Sequence, residues 1–408
     1  MSKLQDIRDL AQEHAVSVSG SPRDWMDYMN TASRLYRYSF SDQLLIHAQH
    51  PEATACASLE LWNEKMFRWV NRGARGIALL DETGQHTRLR YVFDISDTHM
   101  VAGGRSPYLW QMQEHQREEI LTHLAEVYAL EEKDTATLQD ALMAVAREMV
   151  SDNLEEYLDG LEYAVEGTYL EDLDEVTIRS DFRQLATDSV YYLLSRRCGL
   201  DPMELLEEED FMHITDYNRL SVLAFLGNAA SQLSESILID IGKTVHKISL
   251  EEARKEVENS NERNYNNFIT LMRKTKTVMQ KRKKKKILKM KEEPIMELTY
   301  HRKGDYLFPN LTVEEEEVTI GKYGMLRRRF LKEHKNSLYQ SLFLTGKLNS
   351  HLEQIEKAAQ ERLDSQMEKL LEKNPAPDKE ADPMAWTAHM NALMATAEES
   401  ILTELVYS

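Results

Sequence analysis

YSFSDQLLIHAQHPEATACASLELWNEKMFRWVNRGARG, Tyr38–Gly76, decides how the first part of the chain is read. Its start continues a helical stretch from Asp24 to His47, in which Trp25, Tyr28, Met29 and Ala32 recur at helical spacing. Pro51 ends that stretch, and Ser58 can cap a second short helix carrying Leu59, Leu61 and Trp62. Strand signals follow. Arg68-Trp69-Val70 leads into the turn Asn71-Arg72-Gly73, Ile77–Leu80 reads as a buried strand, and Arg88–Phe93 alternates with period two. The expectation is an α+β region with a small antiparallel sheet beside helices.

The same stretch crowds cations among aromatic rings. Arg34, Arg37, Lys65, Arg68, Arg72 and Arg75 lie close to Tyr36, Tyr38, Trp62 and Trp69. Lys and Arg neutralise phosphates, and aromatic faces stack on unpaired bases, so single-stranded nucleic acid is the natural ligand. The competing reading puts Trp62 and Trp69 in the core and leaves the arginines solvated.

Beyond residue 110 the pattern is helical. Ile120, Leu121, Leu124, Val127 and Tyr128 form one apolar stripe, and Leu138, Leu142, Val145 and Met149 another. Leu154, Tyr157, Leu158 and Leu161 continue it; Leu185, Tyr192 and Leu193 lie on a helix that Gly199 can end, and Asp201-Pro202 is a cap with a first-turn proline. Near the far end, Leu326, Phe330 and Leu331 open a helix, and Leu338–Leu344 is a short apolar helix closed by Gly346. Leu348, Leu352, Ile355, Ala359, Leu363, Met367 and Leu370 step along a long helix that Pro375 and Pro377 break. Asp382-Pro383 starts a last helix with Trp386, Leu393, Ile401 and Leu405 inward. The chain is therefore expected to be predominantly helical, with all-α regions after the α+β start. The expected divisions are 1–110, an acidic helical region 111–260, a basic linker 261–294 holding the run Lys281–Lys286, and a helical region 295–408.

The formal net charge of −19 is unevenly distributed: −1 over residues 1–110, −23 over 111–262, +12 over 263–291 and −7 over 292–408. Charged ligands respond to fields within about 8 Å at physiological salt, so the global sign does not exclude nucleic acid at either end. On the last region Arg328, Lys332 and Lys335 fall at i, i+4 and i+7, a basic stripe able to track a phosphate backbone, with a solvated face balanced by Glu314–Glu317 as the alternative.

Two cysteines far apart, Cys56 and Cys198, argue against a disulfide framework or a zinc ribbon and fit a reducing cytoplasm. The start of the chain lacks a signal-peptide core, and no apolar run approaches the ~20 residues of a membrane span. His47 and His50 are three apart with Cys56 near, but no third and fourth ligand with zinc spacing is evident, so no metal is expected. Gly242-Lys243-Thr244 echoes a phosphate loop, but Ile237 stands where its first glycine is required. No paired-carboxylate site is supported, so no catalytic residue, no cofactor and no enzymatic activity are expected.

Tyr38–Gly76, with LRYVFDISDT at Leu89–Thr98, resembles the N-terminal domain of the ArdC antirestriction family, in the version that opens large proteins of conjugative elements. The resemblance implies single-stranded DNA binding; the metalloprotease-like H-E-x-x-H helix of full-length members is absent here. The middle, including SRRCGLDPMELLEEEDF at Ser195–Phe211, resembles the helical region that follows this domain in the same proteins. Tyr300–Tyr407, through GDYLFPNL, IGKYGMLRRRFLKEHK, LTGKLNSHL and AEESILTELVY, resembles the transposon-encoded TnpV family, which implies a mobile-element context rather than an activity.

The functional expectation is a non-enzymatic, cytoplasmic, mobile-element protein that binds single-stranded DNA through Arg34, Arg37, Tyr38, Lys65, Arg68, Trp69, Arg72 and Arg75, with Arg328, Lys332 and Lys335 as a second set. Other mobile-element or host proteins are further candidate partners; a membrane is not. The rivals are a protein-interaction adaptor whose acidic helices are the working part, and a chance fusion of two mobile-element proteins.

Overall fold

The computed structural model describes residues 3–81, 87–271, 300–303, 306–309, 320–377 and 383–407. Three helices open the chain: α1 (Lys3–Val18), α2 (Pro22–Arg34) and α3 (Phe40–Gln49). Five short strands follow: β1 (Cys56–Ala57), β2 (Arg68–Val70), β3 (Ile77–Asp81), β4 (Arg88–Asp94) and β5 (Thr98–Met100). Next come α4 (Arg117–Val127), α5 (Leu138–Leu158), α6 (Glu175–Arg197) and the 52-residue α7 (Leu220–Leu271). The last region holds the antiparallel pair β6 (Tyr300–Lys303) and β7 (Tyr306–Pro309), then α8 (Lys322–His334), α9 (Asn336–Leu344), α10 (Leu348–Lys373) and α11 (Pro383–Ile401). The α+β start and the helical remainder agree with the sequence reading. Helix α7 continues into the stretch expected as a linker; Lys281–Lys286 and Glu314–Glu317 lie outside the described residues.

The expected helix from Asp24 to His47 is two helices. Ser21 caps α2, accepting from the Asp24 amide, and Ser39 caps α3 in the same way through Asp42. In the break between them, the Gln43 side-chain amide donates to the carbonyls of Leu35 and Tyr38, groups a continuous helix would have paired internally.

The sheet β1-β4-β3 is antiparallel, with Ala78 opposite Tyr91 and Cys56 opposite Asp94. The Gln49 amide covers the other edge of β3 at Ala78, donating to its carbonyl and accepting from its amide at 2.9 Å each. Asp94 ties the β1 end to the preceding loop. Burial alone would raise its carboxyl, but hydrogen bonds from Ser96, Ala55 and Thr54 outweigh burial and hold it below the usual carboxylate range.

One hydrophobic cluster runs from Ile7 in α1 to Leu352 in α10 and joins the first helices, the β3–β4 sheet, α4–α7 and α8–α10. Helix α7 is its spine. Its stretch Leu220–Lys255 is long and apolar enough to cross a membrane, but 78% of the qualifying window is buried inside the protein. Two positions on α7 must be glycine for steric reasons. A Cβ on Gly227 would enter the ring of Phe40, the first residue of α3, and one on Gly242 would lie 2.6 Å from Trp110 Nε1. Gly242-Lys243-Thr244 is thus a mid-helix notch for an indole. On another side of α7 sits α9, where Ser341 Oγ donates to the Ser221 carbonyl at 2.8 Å. A smaller cluster of Tyr323, Ala359, Ile401 and Val406 joins α8, α10 and the end of the chain, and Leu393 is buried as expected. Trp386 is half-buried.

Under α3 lies an imidazole pair, a buried His14 and a half-buried His47. The rings of His14 and His47 are 5.0 Å apart, His47 Nδ1 contacts Thr31 Oγ1 at 2.9 Å, and His14 Nε2 is buried without a hydrogen-bond partner. Burial pushes His14 down to about 4, and burial with the neighbouring cations pushes His47 down to about 3. Between these values and the unfolded pKa near 6.5, only the unfolded chain is protonated at these sites. Stability is therefore fully present above about pH 6.5 and falls toward pH 4, by about 1.4 kcal/mol per pH unit for each histidine. Urea unfolding at pH 7, 6 and 5 should show that slope, and His14→Leu should flatten it; a wild-type stability independent of pH would contradict it. At the notches, Gly227→Ala should destabilise by about 1–3 kcal/mol through overpacking against Phe40, despite the helix-propensity gain of about 1 kcal/mol. A rise in melting temperature would refute the notch.

Candidate nucleic-acid interface

Strands β2 and β5 form a two-stranded arm apart from the main sheet, pairing Arg68 with Met100, Trp69 with His99 and Val70 with Thr98. Further backbone bonds lengthen it: Asn71 N to Asp97 O, Val101 N to Phe67 O, and Arg105 N to Met66 O at 2.8 Å. Gly104 closes the turn so tightly that a Cβ there would lie 2.6 Å from Met100 Cγ. Phe67 holds a left-handed backbone with φ 50, uncommon for a bulky residue and a mark of local constraint.

The arm is rooted in a small core of Ala57, Trp62, Val70, Ala74 and Phe93. Trp62 is fully buried, its Nε1 donating to the Phe93 carbonyl at 2.8 Å. Trp69, seven residues on, is 54% exposed. The two tryptophans that the sequence left undecided therefore have opposite roles. Phe67 and Met100 are about half exposed as well, so the arm presents an apolar, aromatic surface to solvent. His99, opposite Trp69, is oriented by Asn71 Oδ1 at 2.7 Å from its Nδ1.

Cations surround this surface. Lys65, Arg72, Arg75 and Arg105 are exposed, and Arg68 is half-buried with Nε donating to Thr98 Oγ1 at 2.9 Å. At the arm's base the turn through Gly73 (φ +83) borders an open cleft of about 420 Å³ between His50, Arg75 and Asp97. Burial raises the Asp97 carboxyl, and the proximity of His50 opposes that shift.

Of the remaining expected site residues, Arg34, Tyr38 and Lys335 are built into the fold, whereas Arg37 and Lys332 stay exposed. Arg34 is half-buried. Its Nε donates to the Ala53 carbonyl at 2.9 Å and its Nη2 to the Pro51 carbonyl at 2.6 Å, fastening α2 to the loop after α3. Burial lowers its pKa, so this guanidinium is spent on the scaffold. Tyr38 donates to the Cys56 carbonyl at 2.6 Å. Arg37 is exposed and lies over the Tyr36 ring, and the Tyr36 hydroxyl accepts from Trp110 Nε1 at 3.1 Å. In the second set, Lys335 is half-buried and ion-paired with Asp159 at 3.0 Å, Lys332 lies over the Tyr339 ring, and Arg328 is half-buried. Neighbouring Arg327 turns inward to the Val406 carbonyl. His99 and Met100 escaped the sequence reading because β5 is three residues long and carries no alternation to detect, and Phe67 and Arg105 because they lie just outside the strands.

Among the described residues no group of three or more His, Cys, Asp or Glu is placed to hold a metal ion. Burial pushes both cysteine thiols up, Cys198 to about 12, so neither is a thiolate near neutral pH.

Arg34→Ala separates scaffold from ligand contact. It removes the Arg34 donor from the Ala53 carbonyl and one of two side-chain donors from the Pro51 carbonyl, which keeps Thr31 Oγ1, and should cost about 1–3 kcal/mol of stability. Nucleic-acid affinity of the folded variant should match the parent protein; unchanged melting with weakened binding would move Arg34 into the interface.

Residues 299–406 match the family model of the transposon-encoded protein TnpV. No curated protein and no solved structure matches the chain. The matched stretch covers α8–α11 and the β6–β7 pair, so the C-terminal region is similar to a protein carried by transposons.

Proposed function

We propose that this is a transposon-associated protein that binds single-stranded DNA on the β2–β5 arm. The observation that carries the reading is the exposed Trp69 on a short, constrained ribbon, flanked by Phe67 and Met100 and ringed by Lys65, Arg68, Arg72, Arg75 and Arg105. Unpaired bases can stack on exposed rings, while duplex DNA hides those faces; the cations supply the phosphate contacts. The ArdC-type resemblance points the same way, but the comparisons lend it no support, and the proposal rests on the arm. The stripe on α8 contributes less in this reading, since Lys335 already has Asp159 as its partner. Binding works by electrostatic capture and stacking, without a bond made or broken.

Trp69 provides its own reporter. Trp25, Trp62 and Trp110 are buried and Trp386 is half-buried, so solvent-exposed indole emission comes chiefly from Trp69. Titrating the full chain with oligo-thymidylate should quench that emission, with an affinity exceeding that for a duplex of equal length. Trp69→Ala should weaken binding by about 1–3 kcal/mol. With about three phosphates contacted, the log–log salt slope should be near −2. Tighter binding to duplex, or an unaffected Trp69→Ala, would sink the proposal.

A further inference from the structure

Residues 155–179 carry nine acidic side chains against the single Arg179, a strongly negative stretch of the folded middle region. They include the end of α5, two short helical turns at Leu161–Tyr163 and Tyr169–Asp172, and the start of α6. Together these elements enclose an open cleft of about 460 Å³. Its floor is apolar: Leu158, Val165, Leu173 and Ile178 are half-buried and line it. Its surroundings hold three strongly exposed apolar side chains, Val176 (76%), Tyr163 (75%) and Tyr169 (57%). Isolated exposed apolar side chains are ordinary, but three within the one 25-residue segment that builds the cleft add to its exposed apolar surface.

The chemistry of the rim selects the occupant. Glu155 pairs with Arg179, Asp159 with Lys335, and Glu171 accepts from the Gly167 amide at 2.7 Å. Even with these partners the segment keeps a large negative excess, which repels phosphate and so opposes nucleic acid and anionic lipid alike. Side chains that enter must be apolar, and the groups that remain at the rim must be cationic. An amphipathic helix with lysines or arginines flanking apolar anchors at i, i+3 and i+4 meets both demands.

We infer that the cleft between α5 and α6 docks a basic amphipathic segment of a protein partner, with apolar anchors in the Leu158–Ile178 floor and its cations against the Glu162, Glu171 and Glu175 rim. This site is separate from the β2–β5 arm, and its test is independent of DNA binding. It makes the acidic middle region a protein-docking module alongside a DNA-binding arm.

The test uses the full chain and a fluorescein-labelled 14-residue peptide of leucine and lysine arranged as an amphipathic helix. A second peptide of the same composition, in an order that scatters the leucines, is the control for charge alone. Fluorescence anisotropy at physiological salt should show the amphipathic peptide binding at least tenfold tighter than the scattered one. Val176→Asp lies on an exposed first helical turn, where an acidic residue is compatible with folding. Combined with Tyr169→Asp, it should weaken the amphipathic peptide at least tenfold although it adds negative charge. Glu162→Lys with Glu175→Lys should weaken it by a similar factor, and oligo-thymidylate binding should be unaffected in both variants. Equal binding of the two peptides, or full binding by the Val176→Asp/Tyr169→Asp variant, would reduce the site to unspecific charge attraction and overturn the inference.

Discussion

The close approach of two aromatic rings to α7 governs the rest of the structure. Phe40 and Trp110 each occupy space that a single methyl group on Gly227 or Gly242 would fill. Phe40 begins α3, and α3 supports the sheet through the Gln49 contact with Ala78. Trp110 follows the arm; its ring is covered by the Arg197 guanidinium 3.8 Å from the ring centre, with Arg197 Nη2 bonded to the Trp110 carbonyl. Burial lowers the pKa of Arg197, so the contact joins packing and charge where the acidic helices meet the first hundred residues. The arm is thereby held by a rigid base on both sides of its sequence.

The same spine gathers the C-terminal region. Helix α9 buries Leu338, Tyr339 and Phe343 in the large cluster, and Leu338 packs against Gly160, where a Cβ would lie 3.1 Å away. That packing, with the Ser341–Ser221 hydrogen bond and the Lys335–Asp159 pair, favours a reading in which the TnpV-like region works together with the helical middle. It also draws Lys335, the last member of the expected basic stripe, into the ion pair with Asp159. Charge is thus divided by position: Lys65, Arg72, Arg75 and Arg105 are displayed on the arm, Arg327 and Lys335 are drawn into packing and pairing on α8 and at its end, and the acidic cleft has Arg179, Lys335 and the nearby Arg327 as neighbours.

Local signals made much of the fold legible. The apolar stripes of α4, α5, α6, α10 and α11 follow the helical period, with Val127 turned outward, and β3 is the continuous buried strand expected; β4 departs from its expected alternation, running from exposed Arg88 to buried Val92, Phe93 and Asp94. Gly199 and Gly346, both with positive φ, end helices where the sequence placed stops. What escaped is long-range. Leu35–Ser39 interrupts a helix because Gln43 offers its carbonyls an alternative donor, a tertiary choice that periodicity does not encode. Trp62 and Trp69 look equivalent beside their arginines, yet one packs on Phe93 and the other meets water. Arg34 reads as a phosphate ligand until two loop carbonyls are seen to face it.

Photocrosslinking tests the central claim most directly. An oligo-thymidylate containing 4-thiothymidine, irradiated with the full-length protein and mapped by peptide mass spectrometry, reports where bases lie. The account predicts crosslinks at Phe67–Asn71 and His99–Arg105, above all at Trp69. Crosslinks confined to Lys322–Lys335, or to the acidic helices, would contradict it.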